Sequence, residues 1–147
     1  MTSTHSAFQE NKPQSISRVS KIPAASSERA LAHFSKLLEF ETDCWDVHFA
    51  MTNNRQDFVL LDVRAESVFK AGHVEGAVNL PHGKINEQTL SEYPLNTLFV
   101  VYCAGPHCNA TEKAAIRLAK LDRPVKKMIG GAVGWLDEGF QLKVIDD

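Results

Sequence analysis

The segment that decides the fold is Leu98-Phe99-Val100-Val101-Tyr102-Cys103-Ala104-Gly105-Pro106-His107-Cys108-Asn109. Its apolar beginning predicts a buried strand, and the residues 110–121 that follow have the spacing of a helix. Cys103 therefore closes a strand and opens a loop at a helix N-terminus. Unpaired amides and the positive end of the helix dipole favour a thiolate there. We expect the pKa of Cys103 to be lowered and that of Cys44 not to be.

The start of this helix is marked by Asn109, a favourable N-cap, with Glu112 three residues further on in the arrangement of a capping box. Gly105 lets the backbone approach an anion, whereas Pro106 stiffens the loop and removes one amide donor. The backbone of this loop is the candidate anion-binding site, through the amides of Ala104, Gly105, His107, Cys108 and Asn109. A buried cysteine followed by an ordinary turn is the alternative interpretation.

The rest of the chain alternates between strand and helix patterns. Strands are predicted at 41–44, 58–63, 77–80, 98–103 and 125–129, and helices at 28–40, 46–52, 66–71, 86–93, 110–121 and 132–138. Continuous apolar strands between helices indicate an α/β fold with a mainly parallel, five-stranded sheet covered on both faces. Ligands bind at the carboxyl ends of strands in such sheets, which is where Cys103 is expected.

Three ordered segments resemble the single-domain rhodanese family of sulfurtransferases. The N-terminal one is Leu60-Leu61-Asp62-Val63-Arg64, followed by Phe69 and Gly72-His73-Val74-Glu75-Gly76-Ala77-Val78-Asn79-Leu80-Pro81. The central one is Cys103–Cys108, which has the length and position of the family's catalytic loop. The C-terminal one is Met128-Ile129-Gly130-Gly131, followed by Trp135 and Gly139-Phe140. The resemblance implies a three-layer α/β/α domain with Cys103 as the catalytic cysteine.

The resemblance also implies a reaction. The Cys103 thiolate would take the outer sulfur of thiosulfate, or of another small anionic sulfur donor, and become a persulfide. Cyanide in an assay, a cellular thiol or a sulfur-accepting protein would then receive the sulfur, with no metal or organic cofactor. Related cell-cycle phosphatases have a longer loop and an arginine where this chain has Asn109, which argues against a phosphate substrate. Pro106 and Cys108 depart from the commonest loops of active rhodaneses.

Two other function classes stay open at this point. One is a sulfur-carrier or regulatory rhodanese domain without turnover. The other is a redox-responsive thiol protein that uses Cys103 and Cys108. Cys108 can resolve a Cys103 persulfide or sulfenate as a disulfide, but the interpretation we favour is that it packs inward under the loop. His107 either tunes the loop and contacts substrate or is simply exposed.

Metal binding is a further alternative, which we do not favour. Cys44 with His48, and Cys103 with His107, would supply two thiolates and two imidazoles for zinc. Nothing in the sequence brings these two pairs together, so the prediction is that no metal is bound.

Other motif residues are expected to support the site. Asp62 and Arg64 are predicted to orient neighbouring loops by ion pairing, with Glu75 as a candidate partner of Arg64, although a catalytic role is the alternative. His73 is expected to bond to the backbone. Trp135 is expected to pack near the mouth of the loop as core or rim, together with Phe140.

Charge is unevenly distributed along the chain. Residues 110–127 contain six basic and two acidic side chains, a net charge of +4. Because the whole chain has a net charge of −2, the remaining residues carry −6. Lys113, Arg117 and Lys120 share one face of the predicted helix, where they are expected to steer an anion toward the loop, or else to be an ordinary solvated face.

Composition sets the remaining limits. The 147 residues, 44% of them hydrophobic, predict one domain at 26–147 after a disordered tail at 1–25, with a weak organellar transit peptide as the alternative for the tail. The charge of −2 gives no reason to expect nucleic acid as a partner, and no segment is apolar enough to span a membrane. Three cysteines do not form a disulfide framework, which favours a reducing, cytoplasmic location.

Overall fold

The computed structural model describes residues 15–146. Of the predicted tail, residues 1–14 lie outside the described residues, and the predicted domain boundary stays a prediction. The chain divides into two units, 1–34 and 35–147, and the division falls within helix α1 (Ser27–Phe40). In the first unit the hydroxyl of Ser26 accepts a hydrogen bond from the backbone amide of Arg29. Ser26 therefore caps this helix, one residue before Ser27, the cap implied by the predicted helix at 28–40.

The second unit contains a sheet with helices between its strands. The strands are β1 (Glu41–Asp43), β2 (Val59–Asp62), β3 (Val78–Asn79), β4 (Phe99–Tyr102) and β5 (Val125–Ile129). The helices are α2 (Cys44–Thr52), α3 (Glu66–Ala71), α4 (Ala110–Lys120) and α5 (Gly131–Asp137), with a 3₁₀ helix at His82–Lys84. All pairings are parallel, in the order β1-β5-β4-β2-β3, which confirms the predicted five-stranded sheet. No helix within residues 15–146 has the length and hydropathy to cross a bilayer.

Each strand of the sheet centre contributes to two cores because its side chains alternate between the two faces. In β4, Val100 and Tyr102 belong to a first core cluster that also contains Trp135. Val101 and the following Cys103 belong to a second core cluster, which includes Leu118 of α4. Burial on both faces explains why the strands are continuous apolar runs, and it confirms the α/β/α arrangement.

The predicted helix at 86–93 is wrong, since this segment forms a series of turns. Thr89 and Asn86 form two hydrogen bonds with each other. The Thr89 hydroxyl accepts one from the backbone amide of Asn86 at 3.0 Å, and the backbone amide of Thr89 donates to the side-chain oxygen of Asn86 at 2.9 Å. The same hydroxyl donates to the carbonyl of Lys84 at 2.8 Å. Leu90 is fully buried. Local side-chain bonds that compete with helical ones therefore decide this segment.

Arg123 holds these turns against the sheet. Its guanidinium is buried and donates to the carbonyls of Leu90 at 3.1 Å, Tyr93 at 3.3 Å and Pro94 at 3.1 Å. It also lies over the Phe99 ring. Arg123 is one of the six basic residues of the segment 110–127. It does not contribute to a cationic surface, because its guanidinium is buried and donates to backbone carbonyls.

We expect the substitution Arg123→Met to lower the free energy of unfolding by about 2–3 kcal/mol, because it removes the hydrogen bonds of a buried charged donor to three backbone carbonyls. Lys120→Met, at an exposed position at the end of α4, should change it by less than about 0.5 kcal/mol. Urea unfolding of both variants tests this, and equal losses would contradict the role of Arg123.

Candidate active site

The candidate site lies at the carboxyl edge of three neighbouring strands. Cys103 follows β4, Gly130 follows β5 and Cys44 follows β1 directly. Because β4 pairs with β5 and β5 pairs with β1, these three chain segments leave the sheet side by side. The loop that begins at Cys103 therefore lies next to the N-terminus of α5.

The N-terminus of α5 holds the loop by hydrogen bonds. The amide of Ala132 donates to the carbonyl of Cys103 at 2.9 Å, and the amide of Val133 donates to the carbonyl of Ala104 at 2.8 Å. Both donors are first-turn amides that have no partner within their own helix. The loop thus takes its conformation from the protein itself before any ligand binds.

Gly131 makes this close approach possible. Its φ is +63°, and a Cβ at this position would lie 2.5 Å from the carbonyl oxygen of Cys103 and 2.8 Å from the amide nitrogen of Gly105. No other residue fits there without displacing the loop. Gly131 is predicted only as part of the C-terminal motif, although the pair Gly130-Gly131 at the junction of β5 and α5 is a sequence signal for a close approach of the backbone.

The loop keeps several amide donors unused. The amide of Cys108 donates to the carbonyl of Gly105 at 3.0 Å, which closes a turn around Pro106. This amide is therefore already paired, and an anion contact from Cys108 stays a prediction. Within residues 15–146, the other candidate amides have no hydrogen-bond acceptor; they belong to Ala104, Gly105, His107 and Asn109. The loop therefore offers backbone donors to an anion, with Pro106 contributing none.

Cys103 and Cys108 are joined as a disulfide, with their Cα atoms 6.5 Å apart. Cys103 is only 3% exposed, and Cys108 is half-buried against the second core cluster. Cys108 therefore packs inward, as expected, and it also pairs with Cys103. Packing and pairing are alternatives in the prediction from the sequence, and that part of the prediction is wrong. A disulfide sulfur does not titrate, so the lowered pKa of Cys103 stays a prediction for the reduced protein.

The predicted capping box is wrong. Asn109 makes no side-chain cap bond. Glu112 instead accepts from the Thr111 hydroxyl at 2.7 Å and from the Lys127 ammonium at 2.6 Å. The bond from Lys127 lowers the pKa of Glu112, and the same bond raises the pKa of Lys127. Glu112 is directed across the cleft because Lys127 of β5 binds it more strongly than an amide would.

A cleft of about 560 Å³ opens beside the loop and has an acidic lining. Its charged side chains are Asp43, Glu112, Glu138 and Lys127, three carboxylates against one ammonium. The predicted cationic residues Lys113, Arg117 and Lys120 are exposed on α4 and do not belong to this lining. The local charge at the cleft is thus opposite to that expected from the basic segment 110–127.

Cys44 is a structural thiol beneath this cleft. It is 4% exposed, and its sulfur donates to the carbonyls of Ile129 at 3.5 Å and Gly131 at 3.7 Å. Burial, and then the charges of Asp43 and Glu138, raise the pKa of Cys44 to about 11. This confirms that the pKa of Cys44 is not lowered.

Asp62 and Arg64 form a buried ion pair at the end of β2. The Arg64 guanidinium donates to the Asp62 carboxylate at 2.6 Å and to the carbonyl of Gly72 at 2.7 Å. Burial lowers the pKa of Arg64, but the bonds to Asp62 outweigh it and leave that pKa raised. The proposed pairing of Arg64 with Glu75 is wrong, since the Glu75 carboxylate lies 3.6 Å from the ammonium of Lys143.

Three further predicted site residues lie at different places. A ring nitrogen of His73 lies 2.9 Å from the carbonyl of Phe69, the expected kind of backbone bond. Trp135 is buried in the first core cluster and lines a second cleft of about 370 Å³ together with Phe140, rather than the cleft beside the loop. His107 is exposed, and a Cβ on Gly105 would lie 3.1 Å from its ring.

The four residues considered for zinc have other surroundings. Cys103 is bonded to Cys108, and Cys44 donates to backbone carbonyls. The ring of His48 stacks on that of Phe140 with centroids 3.7 Å apart. Among the described residues, no three histidine, cysteine or acidic side chains come together as a metal site would require.

Comparison with known proteins gives one family match and one related sequence. The model of the family described as "Rhodanese-like domain" matches residues 49–138. The HTH-type transcriptional regulator Rv0324 of Mycobacterium tuberculosis is 32% identical over 87 residues, which are 58% of this chain. This chain covers 38% of the length of that regulator.

Solved structures share the fold. The BH2092 protein of Bacillus halodurans is 32% identical, with a TM-score of 0.77 over 80% of this chain and 85% of that protein. A thiosulfate sulfurtransferase of Pseudomonas aeruginosa has a TM-score of 0.62 at 19% identity, over 76% of this chain and 21% of that one. At that identity the likeness concerns the fold alone.

We expect native Cys44 to resist alkylation near neutral pH. A raised pKa keeps the thiol protonated, so at pH 8 its thiolate fraction should be roughly two-hundredfold lower than for a cysteine at the usual value of about 8.5. The test is the iodoacetamide rate of a Cys103→Ser, Cys108→Ser double variant, native and unfolded in urea. Equal rates in the two states would contradict the assigned environment.

Proposed function

Since this chain belongs to the rhodanese-like domain family, we propose that it is a sulfurtransferase that carries a sulfane sulfur on Cys103 as a persulfide. The observation that carries the proposal is the position of Cys103 at the head of the loop held by Ala132 and Val133. Unused amides of that loop are suited to bind an anionic sulfur. The buried ion pair of Asp62 and Arg64 supports the neighbouring strand end without touching the reacting atoms.

The proposed reaction begins with reduction of the Cys103–Cys108 disulfide, which frees the nucleophile. The Cys103 thiolate then attacks the outer sulfur of thiosulfate. The sulfur–sulfur bond of the donor breaks, sulfite leaves with the bonding pair, and the outer sulfur stays on Cys103. An acceptor such as cyanide attacks that outer sulfur in the second step and returns the thiolate. No metal or organic cofactor takes part in these steps.

The charge of the cleft bears on the choice of donor. Three carboxylates and one ammonium line it, so a doubly charged donor such as thiosulfate meets net repulsion, whereas a thiol persulfide of lower charge meets less. We therefore include thiol persulfides as donors and propose that thiosulfate is used slowly. The acceptor in the cell would be a thiol or a sulfur-accepting protein, in the cytoplasm, where disulfides are kept reduced.

A second candidate function is favoured by the disulfide itself. A redox-responsive protein would use Cys103 and Cys108 as a thiol pair without transferring sulfur. A non-turnover sulfur carrier would instead hold a persulfide on Cys103 that only a protein partner discharges. These classes predict different products from the same assay.

We expect Cys103→Ser to abolish transfer of sulfur from thiosulfate to cyanide, measured as thiocyanate, because serine forms no persulfide under these conditions. Cys44→Ser, which removes a thiol outside the loop, is the matched control and should keep the activity. Thiocyanate formation at equal rates in the wild type and Cys103→Ser would rule out the assignment. A wild type that oxidises to the disulfide without producing thiocyanate, a persulfide or sulfide would favour the redox function.

A further inference from the structure

We infer that Cys108 discharges the persulfide on Cys103: its thiol displaces the carried sulfur as hydrogen sulfide and leaves the two cysteines joined. The inference rests on the proposed persulfide and adds to it a product, a second reacting cysteine and a requirement for a dithiol reductant. Under this scheme the domain is a reductase of sulfane sulfur, and the disulfide is the end point of each cycle.

The backbone already places the two sulfurs within bonding distance. The loop turns back on itself through the bond from the Cys108 amide to the carbonyl of Gly105, around Pro106. The Cα atoms of Cys103 and Cys108 are 6.5 Å apart, and their sulfurs are bonded while the amides of Ala132 and Val133 hold the loop. An internal thiol held at this distance competes strongly with thiols from solution.

The atom that Cys108 would attack is defined by the same bond. In a persulfide the inner sulfur is the Sγ of Cys103, the atom to which Cys108 is joined in the structure. Attack there forms the Cys103–Cys108 bond and breaks the bond to the outer sulfur, which leaves as hydrosulfide with the electron pair. Over loading and discharge together, the two thiols are oxidised to a disulfide and the sulfane sulfur of the donor is reduced to sulfide. The proton of Cys108 ends on the sulfide or in solvent.

The leaving sulfur has donors to receive it. The unused amides of Ala104, Gly105, His107 and Asn109 belong to the loop that begins at Cys103. An outer sulfur that gains negative charge as it departs is stabilised by such donors more than the persulfide is. The same amides therefore assist both the loading of Cys103 and its discharge.

Exposure decides which sulfur a reductant reaches. Cys103 is 3% exposed, whereas Cys108 is half-buried and lines the cleft beside the loop. A dithiol reductant that enters this cleft attacks Cys108 and releases Cys103 as the free nucleophile. The acidic side chains Asp43, Glu112 and Glu138 disfavour anionic monothiols in the same place, which favours a dithiol of low charge.

The test is a single turnover of the full-length chain, reduced and then freed of reductant, with thiosulfate as the donor. We expect the wild type to release sulfite and hydrogen sulfide in equal amounts, to gain no sulfur in intact mass, and to contain the Cys103–Cys108 disulfide by peptide mapping. Cys108→Ser and Cys108→Ala should release the same sulfite, at least about tenfold less sulfide, and keep one added sulfur on Cys103. Cys44→Ser should behave as the wild type.

The outcomes separate the inference from the proposed function. Wild-type protein that releases sulfite but keeps the added sulfur, without sulfide or disulfide, would overturn the role of Cys108 and leave the sulfurtransferase proposal in place. Cys108 variants that release sulfide as fast as the wild type would also overturn it. A wild type that releases neither sulfite from thiosulfate nor sulfide from glutathione persulfide, together with a Cys108→Ser variant that gains no sulfur from either donor, would overturn both.

Discussion

The site depends on two hydrogen bonds from the first turn of α5 to the carbonyls of Cys103 and Ala104. They require that β4 and β5 be neighbours in the sheet, so that the loop after one strand meets the helix after the other. They also require a residue without a side chain at Gly131. With the loop fixed from outside in this way, four of its amides have no acceptor among residues 15–146; they belong to Ala104, Gly105, His107 and Asn109.

The same arrangement gives three cysteines three different environments. Cys44 lies under the cleft, where burial and acidic neighbours keep its thiol protonated. Cys103 is the first residue of the loop, directly after a buried strand. Cys108 lies near the end of the loop, just before α4, and is bonded to Cys103. Burial and acidic neighbours thus account for the structural thiol of Cys44, whereas the backbone conformation of the loop brings Cys103 and Cys108 together as a bonded pair.

The sequence is informative where the local pattern decides the structure. The strand Val125–Ile129 and the helix Glu66–Ala71 agree with prediction at both ends, and the apolar run before Cys103 becomes β4. What it misses depends on side-chain bonds, some of them local, as between Thr89 and Asn86, and others from distant segments. The turns at 86–93 are stabilised by Arg123, about thirty residues away, and Glu112 is drawn from its capping position by Lys127. Neither partner is visible in a local pattern.

The candidate site was predictable to the same extent. Spacing identifies the loop and its cysteine, but the acidity of the cleft arises because Asp43, Glu112 and Glu138 are brought together from three elements. The pairing of Cys103 with Cys108 depends on the turn closed by the Cys108 amide, which follows from backbone conformation rather than composition.

The measurement that tests the central claim most directly is the pKa of the Cys103 thiol in a Cys108→Ser variant, taken from the pH dependence of its alkylation by iodoacetamide. Cys44 does not interfere, because its pKa is about 11. If the loop held by Ala132 and Val133 directs its amides at the Cys103 sulfur, the pKa of Cys103 should lie at least about one unit below the usual value of about 8.5. A pKa at or above that value would contradict the role given to the loop.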